Sequence, residues 1–336
     1  MPAEQHHKPL ERSPRVVVTR HLMPRIEERM QELFETELNS EDTPFSRERL
    51  IAAVSNCDVL VPTVTDRIDA ALIGAAGPNL RLIASFGAGT DHIDIEAAQK
   101  RGIIVTNTPG VFTDDTADIA MEMIIGIPRR VREGVALVRR SSWTGWTPTA
   151  LLGSKLAGKV LGIVGMGRIG QAVAHRARAF GLEIAYYNRK RLPEAVERMF
   201  AARHVATLDE LLGEADILTI HCPANEQSRH MIDARAFGLM KHGACLINTA
   251  RGDLVDQEAM IAALQSGRLA GAGLDVYPDE PDVDPRLLDV PNVMTLPHIG
   301  SATREGREDS GHRVIANIRV WADGHRPPDQ VLPNRM

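Results

Sequence analysis

The chain has 336 residues, with 39 Lys and Arg against 44 Asp and Glu and a formal net charge of −5, and that length suits two domains. Its 43% hydrophobic and 25% charged content is ample for packed cores, and the mildly acidic balance argues against nucleic acid or a membrane as partner. The polar start MPAEQHHKPLERSP holds no apolar core segment and no run of about 18 apolar residues follows it, so a cytoplasmic location is expected.

His6 and His7 read as part of a frayed tail rather than as metal ligands. Cys57, Cys222 and Cys245 lie far apart, form no CxxC pair and leave one over. Free, buried thiols in a reducing compartment are expected, with no metal.

In the first third, strands are expected at 16–19, 59–62, 82–85 and 103–106, with helices between them, for example at 24–34 and 68–76. Residues 114–140 read as one long helical stretch with Ile119, Met123, Ile124 and Ile127 on one side, and Pro128 is expected to kink or split it. Placed before a new βα series, this stretch looks like a connector between domains. Residues 141–154, with Trp143, Trp146, Pro148 and two glycines, read as an ordered loop or arm. The second series predicts strands at 160–164, 183–187, 217–221, 244–248, 271–275 and 293–295, and a last helix at about 303–321. Apolar runs alternating with amphipathic segments are the pattern of parallel α/β architecture. There is no internal repeat and no low-complexity tract.

The strongest local signal is KVLGIVGMGRIGQAVA at 159–174. An apolar strand ends in Gly165-Met166-Gly167-Arg168-Ile169-Gly170 and an amphipathic helix follows. Gly165 permits the tight turn, Gly167 lets backbone N–H groups approach a pyrophosphate, and Gly170 lets the helix pack on the sheet. The helix N-terminus adds free N–H groups and a positive dipole. A tight βα turn without a ligand is the plain alternative.

The end of the next strand selects the dinucleotide. NAD sites carry an Asp or Glu there for the ribose hydroxyls. This chain has Asn188-Arg189-Lys190-Arg191. Asn188 does not repel a phosphate, and Arg189 with Lys190 or Arg191 can clamp one. NADP(H) is therefore the expected preference, with NAD(H) possible if the run is only a solvated basic loop.

Three later segments follow expected strands and carry Arg251, Glu280 and His298. In an open parallel sheet the carboxyl ends of strands line the ligand crevice. Reducing a keto acid needs a hydride and a proton. His298 can supply the proton, Arg251 offers a charged fork for a carboxylate and a ketone oxygen, and Glu280 would orient the ring and favour its protonated form. Singly, each has another reading: a structural ion pair, a surface acid, a satisfied histidine.

At these residues the chain resembles the D-isomer-specific 2-hydroxyacid dehydrogenase family. The resemblance runs from SFGAGTDHID at 85–94, through the glycine loop, to NTARGDLVD at 248–256, GLDVYPDEP at 273–281 and PHIGSAT at 297–303. Within the family it is most similar to the glyoxylate/hydroxypyruvate reductase group. The resemblance implies two Rossmann-like or flavodoxin-like α/β domains with parallel sheets and the active site in the cleft between them. A substrate domain of 1–107 and 300–336 would flank a dinucleotide-binding domain of 108–299. Arg251, Glu280 and His298 match the family's catalytic residues. Ala88 and Gly89 match the loop that holds the substrate carboxylate. Asp275 matches a residue near the nicotinamide carboxamide, Thr116 one beside the cofactor, and Thr249 and Pro223 residues lining its cleft, though Pro223 also reads as a simple strand-ending turn. Residues near Val64 and Phe86 are expected at the substrate's 3-position.

The resemblance also implies a two-fold homodimer built around the long connector and the arm, with Trp143 and Trp146 against the partner or packed within their own chain. The implied activity is reduction of glyoxylate or hydroxypyruvate. Two other readings stay open. One is a D-lactate-type or phosphoglycerate dehydrogenase. The other is a dinucleotide-sensing corepressor of the same fold.

Overall fold

The structure, a computed structural model, describes residues 9–332; His6 and His7 lie outside the described residues. The chain divides into two compact units, 1–112 with 302–336, and 113–301. These borders lie a few residues past the expected ones. Among the described residues no helix is long and apolar enough to cross a membrane.

The first unit is built on five parallel strands: β1 (Arg15–Val18), β2 (Glu35–Glu37), β3 (Val59–Val61), β4 (Leu82–Ala84) and β5 (Ile104–Thr106). Their order, β2-β1-β3-β4-β5, is that of flavodoxin-like sheets. The inner strands are covered on both faces, so they read as continuous apolar runs rather than as alternating ones. Val17, Leu60 and Ile83 pack on one side with Leu50, Leu72 and Ile73. Val16, Val18, Val59, Val61 and Leu82 pack on the other with Ile26, Met30, Val314 and Trp321. The last of these belong to the helix Arg304–Ala322, capped by the Thr303 side chain.

The second unit has seven parallel strands: β6 (Val160–Val164), β7 (Glu183–Tyr187), β8 (Ala202–His204), β9 (Ile217–Ile220), β10 (Ala244–Asn248), β11 (Leu269–Leu274) and β12 (Val293–Thr295). The order β12-β11-β10-β9-β6-β7-β8 reverses direction between β6 and β9. That is the topology of dinucleotide-binding sheets, and the reversal point is where such sheets take ligands. Strands β2 and β8 were not expected. Both are three-residue edge strands, ETE and ARH, with mostly exposed or half-buried side chains. An edge strand with polar faces carries no apolar run to announce it.

The stretch at 114–140 is two helices, Thr113–Gly126 and Val131–Arg139, broken around Pro128 with Arg130 in the left-handed region at φ 55°. The first is buried on the sheet. The second buries no residue, and it is fastened by Arg132, which donates to the carbonyls of Leu288 (3.0 Å) and Val290 (2.6 Å). In the arm that follows, Trp143 is 63% exposed and Trp146 82%. The alternative in which they pack within their own chain is therefore overturned.

Candidate active site and dinucleotide site

The glycine loop leaves β6 with Gly165 at φ 96°. A Cβ there would stand 2.7 Å from the Cys222 nitrogen and 2.8 Å from the His221 carbonyl carbon, so only glycine lets the ends of β6 and β9 come together. At Gly170 a Cβ would meet the Gly165 carbonyl oxygen at 2.3 Å, whereas at Gly167 it would meet nothing within 4 Å. The helix Arg168–Ala179 thus packs tightly at its third residue and presents an uncluttered N-terminus, with Arg168 exposed and Ile169 half-buried.

Asn188 follows β7 and accepts a hydrogen bond on Oδ1 from the Met166 N–H at 2.7 Å. Its side chain ties the basic loop to the glycine loop. Arg189 and Lys190 are exposed, and Arg189 reaches Gln227 Oε1 at 3.5 Å. Arg191 is engaged with Glu197 through Nε (2.9 Å) and Nη2 (2.7 Å). Pro223 lies past β9 in a turn where its carbonyl accepts from the Ser228 hydroxyl at 3.0 Å.

Strands β10, β11 and β12 are neighbours in the sheet, and the loops at their carboxyl ends carry the remaining candidates. After β10, Asn248 folds the loop on itself: Oδ1 accepts from the Ala250 N–H (3.0 Å) and Nδ2 donates to the Arg251 carbonyl (2.7 Å). A Cβ at Gly252 would lie 2.0 Å from the Tyr277 carbonyl carbon, so this glycine lets the Arg251 loop press against the loop after β11. Arg251 is half-buried, and its Nη1 donates to the Ala250 carbonyl at 2.7 Å.

Glu280 accepts from the Tyr277 N–H on Oε1 at 3.0 Å and from His298 Nδ1 on Oε2 at 2.6 Å. Tyr277 is braced in turn by its hydroxyl, which donates toward the carbonyls of Leu274 (3.2 Å) and Leu296 (3.0 Å). Burial pushes the Glu280 carboxyl up, but the hydrogen bond and charge of His298, the Tyr277 N–H and the charge of Arg251 outweigh it and hold it below the usual range.

His298 sits at φ 55°, a backbone region that side chains other than glycine seldom take. The turn is held there by Asp275, which is fully buried and accepts from the N–H groups of Ile299 and Gly300, both at 2.7 Å. Burial pushes the Asp275 carboxyl up against the pull of those two bonds. Thr116, near the start of the helix Thr113–Gly126, donates to the Gly300 carbonyl at 2.9 Å. Arg251, Glu280, His298, Asp275 and Thr116 all belong to the second unit.

In the first unit, Ala88 and Gly89 lie past the end of β4. Asn107 Nδ2 donates to the Ala88 carbonyl at 2.7 Å, and the Thr108 N–H to that of Gly87 at 2.9 Å. A Cβ on Gly87 would touch Val64 Cγ1 at 3.5 Å, which places the 40% exposed Val64 beside this loop.

Sequence reasoning assigned no role to Asn248, Tyr277, Asn107 or Glu197. Asn248 and Tyr277 stand inside motifs that drew attention for their neighbours. Glu197 left no signal, because an acidic residue on a helix reads as solvated surface.

The residues fit a dinucleotide. The sheet reverses at the glycine loop, the helix N-terminus is uncluttered, and the Thr249 hydroxyl is buried without a hydrogen-bond partner among the described residues. Fold and site together define a two-domain oxidoreductase with a Rossmann-type dinucleotide domain. Comparison with known proteins agrees. The model of the D-isomer specific 2-hydroxyacid dehydrogenase NAD binding domain matches residues 121–300. A glyoxylate reductase of Thermococcus litoralis is 44% identical over 322 residues, covering 95% of this chain and 96% of its own. Among solved structures, a glyoxylate reductase from Paecilomyes thermophila superposes with a TM-score of 0.86 at 34% identity, covering 96% of this chain and 99% of that one. An NADPH-dependent glyoxylate/hydroxypyruvate reductase from Sinorhizobium meliloti, in complex with NADP and malonate, gives 0.84 at 32%, covering 95% and 97%. The chain belongs to the D-isomer specific 2-hydroxyacid dehydrogenase family.

Proposed function

We propose that this chain reduces a small 2-keto acid, glyoxylate or hydroxypyruvate, to the 2-hydroxy acid, with His298 as proton donor and NADPH as the preferred reductant. The observation that carries the reading is the Glu280–His298 pair at 2.6 Å, on loops that leave neighbouring strands beside the one carrying Arg251. A bound nicotinamide would supply the hydride for the new bond at the carbonyl carbon. His298 gives its proton to the carbonyl oxygen as that bond forms, and in the reverse direction the neutral ring takes the hydroxyl proton. Since a carboxylate only accepts, Glu280 fixes the proton on Nδ1 and leaves Nε2 for the substrate. Arg251 binds the carboxylate and polarises the ketone, and the backbone N–H groups around Ala88 and Gly89 hold the carboxylate.

The glycine loop and the first turn of Arg168–Ala179 would hold the pyrophosphate. Thr249 and Asp275 would line the nicotinamide end, with Thr116 steadying the Gly300 turn. Pro223 would border the cofactor at β9. Arg189 and Lys190, with no carboxylate at position 188, would hold a ribose 2′-phosphate. The relatives from Thermococcus and Paecilomyes carry the name glyoxylate reductase, and the Sinorhizobium one was captured with NADP. The functional form proposed is a homodimer joined through the helix Val131–Arg139 and the arm. A reducing compartment, the cytoplasm, suits three free thiols, all raised to between about 11 and about 12 by burial.

A panel of 2-keto acids assayed with NADPH and with NADH tests the reading. Glyoxylate and hydroxypyruvate are expected to give the highest kcat/KM, with NADPH ahead. Turnover of none of the panel would end the proposal and favour a sensing role.

A further inference from the structure

The loop after β7 is pinned at both ends. At its start, Asn188 Oδ1 accepts from the Met166 N–H of the glycine loop at 2.7 Å. At its end, a knot of hydrogen bonds forms on the buried Glu197. Tyr186 is fully buried, and its hydroxyl donates to Glu197 Oε1 at 2.7 Å while accepting from the Leu192 N–H at 3.0 Å. Arg191 closes on both carboxylate oxygens of Glu197, at 2.9 and 2.7 Å. Glu197 is only 7% exposed, although every other residue of its helix, Glu194–Phe200, is exposed or half-buried. Between the two pins project Arg189 and Lys190, both exposed.

We infer that Glu197 and Tyr186 are positioning residues for cofactor choice: through Arg191 and the Leu192 backbone they hold Arg189 and Lys190 where a 2′-phosphate is read, and Arg191 serves as the anchor of the loop rather than as a phosphate ligand. The inference rests on the NADP(H) reading above. Its physical basis is entropic. An exposed basic pair on a loose loop must give up backbone and rotamer freedom when it binds a phosphate, and a loop ordered beforehand gives up less. The charges agree with the assignment. Glu197 neutralises one of the three cations of the run and leaves the two that project. A bidentate guanidinium–carboxylate pair is also directional, so it fixes the orientation of the Arg191 backbone as well as its charge.

The test uses two variants that leave the net charge unchanged, so the electrostatic pull on a phosphate stays as it was. Glu197→Asp shortens the carboxylate by one methylene, so that it no longer spans both Arg191 and Tyr186. Tyr186→Phe keeps the ring and removes the hydroxyl that ties Glu197 to Leu192. Steady-state kinetics with NADPH and NADH are measured for both. The expected result is a rise in KM for NADPH with kcat retained, and a fall of about 5- to 10-fold in the NADPH-to-NADH ratio of kcat/KM. A wild-type ratio in both variants overturns the inference, as does tighter NADPH binding. If Glu197→Asp does not fold, Tyr186→Phe decides alone. A wild-type protein that uses both dinucleotides equally removes the NADP(H) reading and this inference with it. A selective wild type with equally selective variants removes this inference only.

Discussion

Oε2 of Glu280 takes a hydrogen bond from Nδ1 of His298 at 2.6 Å, while Oε1 of the same carboxylate takes one from the Tyr277 backbone. One side chain thereby fixes the ring to the loop that follows β11. In the proposed reaction the Nε2 proton is the one transferred. His298→Ala is expected to lower turnover in both directions by at least about 100-fold, while dinucleotide binding, followed by fluorescence titration, persists. Turnover within a few-fold of wild type would take the proton-transfer role away from His298.

Glu280 also makes a pH prediction. Burial raises its carboxyl, but His298, the Tyr277 N–H and Arg251 together bring it below the ordinary value. A carboxyl lowered in the folded state stabilises the fold above its unfolded value and loses that contribution as the pH falls through the lowered, folded one. The advantage of wild type over Glu280→Gln in thermal unfolding should therefore be full at neutral pH, shrink once the pH drops past about 4.3, the ordinary glutamate value, and vanish further into acid. A difference independent of pH would show that the charge on Glu280 contributes nothing to holding the pair.

Arg251→Lys keeps the positive charge and loses the planar fork. An ammonium is a point donor and does not engage a carboxylate and a ketone oxygen together. The expected outcome is a rise in KM for the keto acid together with a fall in kcat, about 10- to 100-fold in kcat/KM, which corresponds to one or two lost charge-assisted bonds. Dinucleotide binding should be unchanged. A variant with wild-type kinetics would remove Arg251 from substrate recognition.

Much of this site was legible in the sequence because its strands are mostly apolar and largely buried. Val160–Val164, Glu183–Tyr187, Ala244–Asn248 and Val293–Thr295 appear where apolar runs place them, and the candidate residues stand just beyond such runs. Strand order was not legible, since pairing is long-range and β6 joins β9 across two intervening strands. Nor was the pairing of Arg191 with Glu197, or the grip of Asp275 on the turn after His298. Those bonds depend on how loops close, and no periodicity records that. Edge strands β2 and β8 escaped for the opposite reason to the inner strands: with one neighbour each and polar faces, they leave no hydrophobic trace.

Asp275 gives a stability prediction tied to geometry. Its two oxygens accept from the Ile299 and Gly300 N–H groups and so hold His298 at its positive φ. Asp275→Asn offers one oxygen and one NH2, so one of the two N–H groups faces a donor. Leaving a buried donor unmet costs about 1–3 kcal/mol, which should appear as a lower Tm and a loss of activity larger than any loss of dinucleotide affinity. An unchanged Tm would mean that the turn keeps its shape without the carboxylate.

The arm supplies the last prediction. Val138 is 63% exposed, Trp143 63%, Trp146 82% and Leu152 66%, all within one stretch of the chain. Scattered apolar residues need no explanation, but two tryptophans and two aliphatics exposed within 15 residues of chain are of the kind found on association surfaces. The helix before it is amphipathic and buries nothing, with Val131, Val135 and Val138 on its outer face. If two copies meet through this surface, sedimentation of the wild-type protein gives twice the mass of the chain. The double substitution Trp143→Ser, Trp146→Arg puts a charge and a hydroxyl where the aromatic anchors were, and it should shift the protein to monomer with each unit's fold intact by circular dichroism. A wild-type monomer at micromolar concentration would refute the homodimer. A dimer untouched by the double substitution would move the interface elsewhere on the surface.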